Sequence, residues 1–140
     1  MKILIRMFLA IHVFIYRLTS GKLMGKLGNN PILLLDTVGR KSSKQRTTPL
    51  MYIRDGKNYV ITASNGGADA HPGWYFNLKS NPKTTIQVMG EKMPVNAQEA
   101  PTKERNRLFA QLTATAPQFK GYEEKTKRTI PMMILRPTKK

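Results

Sequence analysis

The stretch from Thr47 to Thr62 constrains the fold more than any other. Leu50, Tyr52 and Arg54 fall on one side of an extended segment, Met51 and Ile53 on the other. Asp55-Gly56 is a type I′ hairpin signal, and Asn58 to Thr62 returns. The pattern recurs downstream. Thr84 to Met89 carries Ile86 and Val88, Lys92 to Gln98 carries Met93, Val95 and Ala97, and Gly90-Glu91 joins the two arms. Ile32 to Val38 is a continuous apolar run too short for a helix, and Ile130 to Leu135, with Pro131 at its start, reads as a last strand. Pro49 has no N–H for a ladder, so it belongs at an edge or bulge.

Helical spacing is confined to four places. Residues 1–24 form one. A short helix begins near Pro72 and holds Trp74, Tyr75 and Leu78. Another starts at Pro101, carries Leu108, Phe109 and Leu112, and stops at Pro117. A short charged one begins at Phe119. No strand–helix alternation runs through the chain. The expected architecture is mainly β (α+β): an antiparallel barrel of about six strands, helices on its outside and a helix at its N-terminus. The expected organisation is an amphipathic helix over residues 1–24 and one barrel domain over 25–140, joined by a connector from Gly25 to Pro31.

Charge narrows the chemistry. The net charge is +16, which calls for anionic partners: nucleic acid, an acidic membrane surface or a polyanionic small molecule. There is no cysteine, so thiol redox chemistry and cysteine-ligated metals are excluded, and two histidines far apart give no basis for a metal site. Neither G-x-G-x-x-G nor a P-loop is present. Scarce carboxylates make a protein-borne acid/base pair a poor fit, so an enzyme built this way would take its chemistry from a bound cofactor.

In the first 24 residues, Lys2, Arg6 and Arg17 fall within roughly 60° of one another on a helical wheel. Met7 to Tyr16 is free of formal charge for ten residues, about half a membrane span. Leu18-Thr19-Ser20-Gly21 is a poor cleavage site, which leaves a cleaved signal the weakest reading. Two readings stand: the helix packs on the protein's own core, or it lies in a membrane interface with its cationic stripe toward headgroups. The corresponding location is the cytoplasm, with peripheral attachment at the inner face of the cell membrane.

Two stretches are unusual. Gly39 to Arg46, G-R-K-S-S-K-Q-R, has four cations and no carboxylate, as an anion cradle requires. Ser64 to Pro82, S-N-G-G-A-D-A-H-P-G-W-Y-F-N-L-K-S-N-P, opens on a diglycine turn whose N–H groups can converge on an anion and holds the only tryptophan. Together with G-R-K-S-S-K-Q-R-T-T-P-L and F-K-G-Y-E-E-K-T-K-R-T-I-P, in that order, this resembles the deazaflavin-dependent nitroreductase family, whose members use coenzyme F420 on a split β-barrel. The resemblance runs from about Ile32 to the C-terminus.

It implies hydride transfer from reduced deazaflavin to a quinone-like, nitroaromatic or other conjugated acceptor. By position it implies Arg40, Lys41 and Ser42 at the coenzyme's phosphate or acidic tail, and Arg46, Thr47, Thr48, Pro49, Leu50 and Met51 along the groove. Thr62, Ala63, Ser64 and Asn65 would lie beside the ring, and Gly73, Trp74, Tyr75, Phe76 and Asn77 would close the site. Phe119 and Tyr122 would face the acceptor. The family commonly has glycine where Ser43 stands, often lysine at Asn65 and often tyrosine near Phe119. Other readings are the same barrel with a flavin nucleotide or haem-like ligand, told by colour, and a non-catalytic basic module. Aromatic residues make up only 8% of the chain, too thin a set of stacking platforms for a specific nucleic-acid partner.

Overall fold

A computed structural model describes residues 2–27 and 30–138. In order, its elements are α1 (Lys2–Leu18), β1 (Lys26–Leu27), β2 (Asn30–Val38), β3 (Gln45–Asp55), β4 (Asn58–Thr62), a 3-10 turn (Asn65–Gly67), α2 (Gly73–Ser80), β5 (Lys83–Val88), β6 (Glu91–Glu99), α3 (Thr102–Thr115), α4 (Gln118–Lys125) and β7 (Met132–Pro137). Gly28-Asn29 of the expected connector lies outside the described residues.

Every strand pairing is antiparallel. β2, β3, β4, β7, β6 and β5 are neighbours in that order, and β5 returns to β2 through Leu34↔Gln87 and Leu35↔Ile86. The sheet therefore closes into the expected six-strand barrel, with β1 a short addition on β2.

Strand alternation sorts the core. Leu33 and Leu35 join Tyr59, Ile61, Ile86, Val95, Met133 and Leu135 inside the barrel, where Trp74, Tyr75 and Leu78 of α2 also pack. Val60, Met132 and Ile134 face outward beneath Leu108, Phe109 and Leu112 of α3 and Phe119 of α4. Ile32 and Leu34, also outward, lie beneath Val13 and Tyr16 of α1. β2 is thus covered on both faces, which is why it reads as an unbroken apolar run.

Several boundaries differ from expectation for local reasons. α1 ends at Leu18 rather than residue 24, because Ser20 and Gly21 turn left-handed at φ 53° and 79°. Asp55 pairs with Asn58, so the turn centres on Gly56-Lys57, and only Gly56 has positive φ. That is the type II′ pattern, since type I′ needs positive φ at both positions. Val88 pairs with Glu91, which moves the other turn to Met89-Gly90. Here Met89 holds φ 55° while its N–H donates to the Tyr16 hydroxyl at 2.7 Å. Gly90 lies in tight quarters, since a Cβ there would approach Ser20 Cβ to 3.2 Å. β7 starts at Met132, past Pro131. Pro49 sits where β3 pairs with β2 alone, as an edge position.

α1 divides between the two readings of its sequence. Its C-terminal half is fastened: Tyr16 is fully buried and donates to Ile32 O at 3.0 Å, and Arg17 pairs with Asp36 at 3.2 Å. Arg17 is therefore turned to the barrel instead of outward with a cationic stripe. The N-terminal half leaves Ile3, Leu4, Ile5, Met7, Phe8 and Ile11 more than half exposed.

Candidate functional site: an acid-free cationic cavity

The basic stretch after β2 is a tight turn. Gly39 N–H donates to Lys44 O and Ser43 N–H to Gly39 O, both at 2.8 Å. A Cβ on Gly39 would meet Ser42 Oγ, so any larger residue there would have to turn that hydroxyl aside. Ser43 adopts φ 60°, the left-handed conformation that favours glycine. The turn is braced from α2: Asn77, 6% exposed, accepts the Arg40 N–H at 3.1 Å and donates to Thr37 Oγ1 at 3.3 Å. The Arg40 guanidinium lies over the Phe76 ring, 4.7 Å from its centre.

A cavity of about 340 Å³ opens here, lined by Arg6, Thr37, Gly39, Arg40, Lys41, Ser42, Arg46, Thr48, Gly73, Trp74 and Asn77. It has four cations and no carboxylate. Among the described residues, none of the four takes part in an ion pair. Uncompensated like charges around one concavity repel, and an anion placed between them reverses the sign of that energy.

Of the expected residues, Arg40, Lys41, Ser42, Arg46, Thr48, Gly73, Trp74 and Asn77 come together in this lining. Others are placed elsewhere by strand alternation. Leu50 packs against the barrel core. The Thr47 hydroxyl donates to Asp36 at 2.6 Å on the opposite face of β3. Pro49 and Met51, on that face too, line a separate apolar cleft with Phe8, Leu9 and Ile32. Tyr75 donates its hydroxyl to Glu99 at 2.5 Å, and burial followed by that bond pushes its pKa to about 12. Burial alone would raise the Glu99 carboxyl, but hydrogen bonds from Tyr75 and Lys79 outweigh it and hold the pKa below the usual value.

The diglycine turn does not line this cavity. Asn65, Gly66 and Gly67 take φ 49°, 64° and 87° in succession. Gly67 N–H donates to Ser64 O at 2.9 Å and Ala68 N–H to Asn65 O at 3.1 Å, so these two amides are used within the turn rather than offered to an anion. A Cβ on Gly67 would lie 3.0 Å from Tyr122 O and 3.1 Å from Tyr122 Cα, so the turn is seated against α4. Thr62 donates to Met132 Sδ at 3.2 Å, and Ala63 and Ser64 are buried.

Arg128, which residue-by-residue reading did not single out, holds this segment. Its guanidinium donates to Ser64 O and Ala68 O at 2.9 Å, to Ala63 O at 3.3 Å and to His71 Nδ1 at 3.0 Å. Arginine only donates, so His71 Nδ1 accepts and the ring's proton sits on Nε2. Burial, then the Arg128 charge, depresses the His71 pKa. His71 in turn lies 5.7 Å from Phe76, ring centre to ring centre. The cationic turn and the diglycine turn are thus joined through Phe76, His71 and Arg128, not by direct contact. The only sequence signal for Arg128 was its place in the third matching stretch. Arg6 and Thr37 were also missed, since neither belongs to a motif.

Of the expected acceptor-side pair, Phe119 is buried. Phe119 is 7% exposed and belongs to the outer cluster, edge-on to Tyr122 at 5.2 Å. A buried ring gives an acceptor nothing to stack on. Phe119 fixes α4 to the rest of the outer layer instead, and Tyr122 is half-buried beside it.

A closed antiparallel barrel with outer helices is the split-barrel architecture, and here it carries a cation-lined cavity against a tryptophan. The sequence profile of the F420H(2)-dependent quinone reductase family matches residues 8–137. The chain is 40% identical over 133 residues to the F420H(2)-dependent quinone reductase Rv1261c of Mycobacterium tuberculosis, covering 91% of this chain and 88% of that one. Among solved structures it resembles an F420-H2 dependent reductase, FDR-A, with TM-score 0.69 and 37% identity over 76% of this chain and 94% of that one. It also resembles a domain-swapped dimer, with TM-score 0.71 and 36% identity over 85% of this chain and 90% of that one. The chain belongs to the F420H(2)-dependent quinone reductase family. It is accordingly an oxidoreductase with coenzyme F420 as its redox partner.

Proposed function

We propose that this chain reduces a quinone-like acceptor with hydride from F420H2, and that the cationic cavity holds the coenzyme's phosphodiester and glutamate tail. The observation that carries this reading is the set of cations around one cavity with no acid among them. Arg40, Lys41 and Arg46 would grip the anionic tail, with the Ser42 hydroxyl as a further donor. Trp74 and Thr48 give the same cavity a flat apolar wall and a polar edge, features suited to a ring with a polar linker. The ring end is assigned to Thr62–Asn65, whose carbonyls at Ala63 and Ser64 are fixed by Arg128. Bound coenzyme supplies the hydride, so the protein's work is to bind, orient and exclude water. Nitroaromatic and other flat conjugated acceptors fall within the same chemistry.

Titration of the protein with F420 at modest salt tests the reading. Coenzyme fluorescence should be quenched at micromolar protein, and Arg46→Ala should weaken binding by roughly 1.5 kcal/mol or more, the size of a charge-assisted contact. F420H2 oxidation should require a quinone acceptor. Unchanged fluorescence with wild-type protein would overturn the assignment.

The proposed location rests on α1. No helix among the described residues is long and apolar enough to cross a membrane. The exposed apolar side chains of its first turns support peripheral attachment, at the inner face of the cell membrane, where a lipid-soluble quinone is met. Flotation with anionic vesicles should carry the full chain and leave behind a chain lacking residues 1–24. Equal partitioning of the two would end this part of the proposal.

A further inference from the structure

We infer that Arg6 is a coenzyme-binding residue, so that the terminal helix is a working wall of the site and is latched by the coenzyme. The inference rests on the F420 reading of the cavity. Arg6 lines that cavity with Arg40, Lys41 and Arg46, yet it comes from α1, far in sequence from any matching motif.

α1 is fastened to the barrel mainly at one end. Tyr16 donates to Ile32 O at 3.0 Å and accepts the Met89 N–H at 2.7 Å, and Arg17 pairs with Asp36 at 3.2 Å. Arg6 is ten positions from Tyr16, about 15 Å along a helix. Among the described side chains of that interval, only His12 forms a hydrogen bond, to Met24 O at 2.9 Å. The N-terminal half of the helix is therefore a lever with few polar attachments, its tip carrying a cation into a cavity that already has three. With no anion bound, the Arg6 charge is repelled by its three neighbours and the lever is loosened. With a phosphodiester or carboxylates between them, each cation is attracted to the same group and the lever is drawn shut. Binding and helix closure are then linked, and the linkage acts in both directions. Whatever orders α1 raises coenzyme affinity, and the coenzyme orders α1.

The test compares F420 dissociation constants, read by coenzyme fluorescence, for wild-type, Arg6→Ala, Arg6→Lys and Lys57→Ala chains. Lys57 is an exposed cation in the β3–β4 turn, away from the cavity lining. Arg6→Ala should weaken binding about tenfold, Arg6→Lys less, and Lys57→Ala by no more than about twofold. Hydrogen exchange over residues 2–12 is the second readout. Saturating F420 should slow it in wild-type protein and not in Arg6→Ala. Wild-type protein that binds F420, with Arg6→Ala binding equally well, sinks this inference alone. Wild-type protein that does not bind F420 sinks the coenzyme reading and this inference with it.

Discussion

Gly66 and Gly67 are neighbours in one turn, both at positive φ, and replacing each with alanine should have very different consequences. At Gly66, φ is 64° and a Cβ would meet nothing within 4 Å. The cost there is the left-handed conformation alone, about 1–2 kcal/mol, partly offset by an alanine's more restricted unfolded chain. A net loss of about 1 kcal/mol is expected. At Gly67, φ is 87° and a Cβ would lie 3.0 Å from Lys125 Cδ, 3.0 Å from Tyr122 O and 3.1 Å from Tyr122 Cα. The lysine stem can swing away. The Tyr122 backbone cannot, unless α4 shifts from its seat on α3 and β7. Overpacking of this kind adds about 1–3 kcal/mol, for a total of roughly 2–4 kcal/mol. Urea unfolding measures both variants, with the midpoint shift read as stability provided the slope stays constant. The reasoning fails if Gly66→Ala and Gly67→Ala lose the same amount, because the turn would then owe its glycines to backbone conformation and not to the approach of α4.

Three other outcomes follow from single side chains. Ser43→Gly should stabilise the fold by up to about 1 kcal/mol, because Ser43 holds φ 60° at a cost glycine avoids; thermal denaturation reads it, and a loss of stability would refute the strained-turn account. His71 has a pKa held below 6.5 by burial and the Arg128 charge, so the folded chain binds fewer protons there than the unfolded one. The stability this contributes is complete above pH 6.5 and lost as pH falls; His71→Asn, which keeps an acceptor for Arg128, should flatten that part of the stability–pH curve. Tyr16→Phe keeps the ring's volume but leaves the buried Ile32 carbonyl and the part-buried Met89 N–H without the hydroxyl, costing about 1–3 kcal/mol in chemical denaturation.

What could be read from the sequence was whatever depends on local period and on charge. The barrel follows from alternation at Leu50–Arg54 and Ile86–Ala97, because a two-residue period admits only one pairing face at a time. The cationic half of the site was visible for a similar reason: Arg40, Lys41 and Arg46 sit close together in the chain, and an acid-free run needs no partner to be noticed. Thr47, Pro49 and Met51 show the limit. Adjacent residues of a strand face opposite sides, so assigning a continuous run to one groove must misplace every second member. Phe119 was misread because an aromatic residue beside a turn motif looks the same whether it faces a ligand or a core. The turn at Met89-Gly90 depends on the Tyr16 hydroxyl, 73 positions away, and no window on the sequence contains both. Arg6 belongs with these. Its helix was legible, but the edge of β3 over which the helix lies was not.

The distribution of acid explains why the cavity stays cationic. The chain has eight carboxylates against 24 lysines and arginines. Most of those eight are clasps between elements. Asp36 ties β2 to α1 through Arg17, Asp55 ties the end of β3 to Arg107 of α3, and Glu123 of α4 meets Arg105 of α3. Glu99 of β6 holds Tyr75 and Lys79 of α2, and Asp69 accepts from Thr126 just past α4. Exposed pairs of this kind contribute little energy one at a time, so stability alone does not explain where the acids went. Their placement does satisfy another condition. A carboxylate facing Arg46 or Arg40 would compete at point-blank range with an incoming phosphate, whereas the same carboxylate more than about 10 Å away is largely screened at physiological salt. Keeping acids at the seams and out of one cavity therefore preserves local anion affinity, while the surplus of positive charge elsewhere acts through space to hasten the arrival of a polyanion. Arg6, Arg40, Lys41 and Arg46 are all exposed, so salt reaches both effects: raising ionic strength should slow association and lower the affinity together.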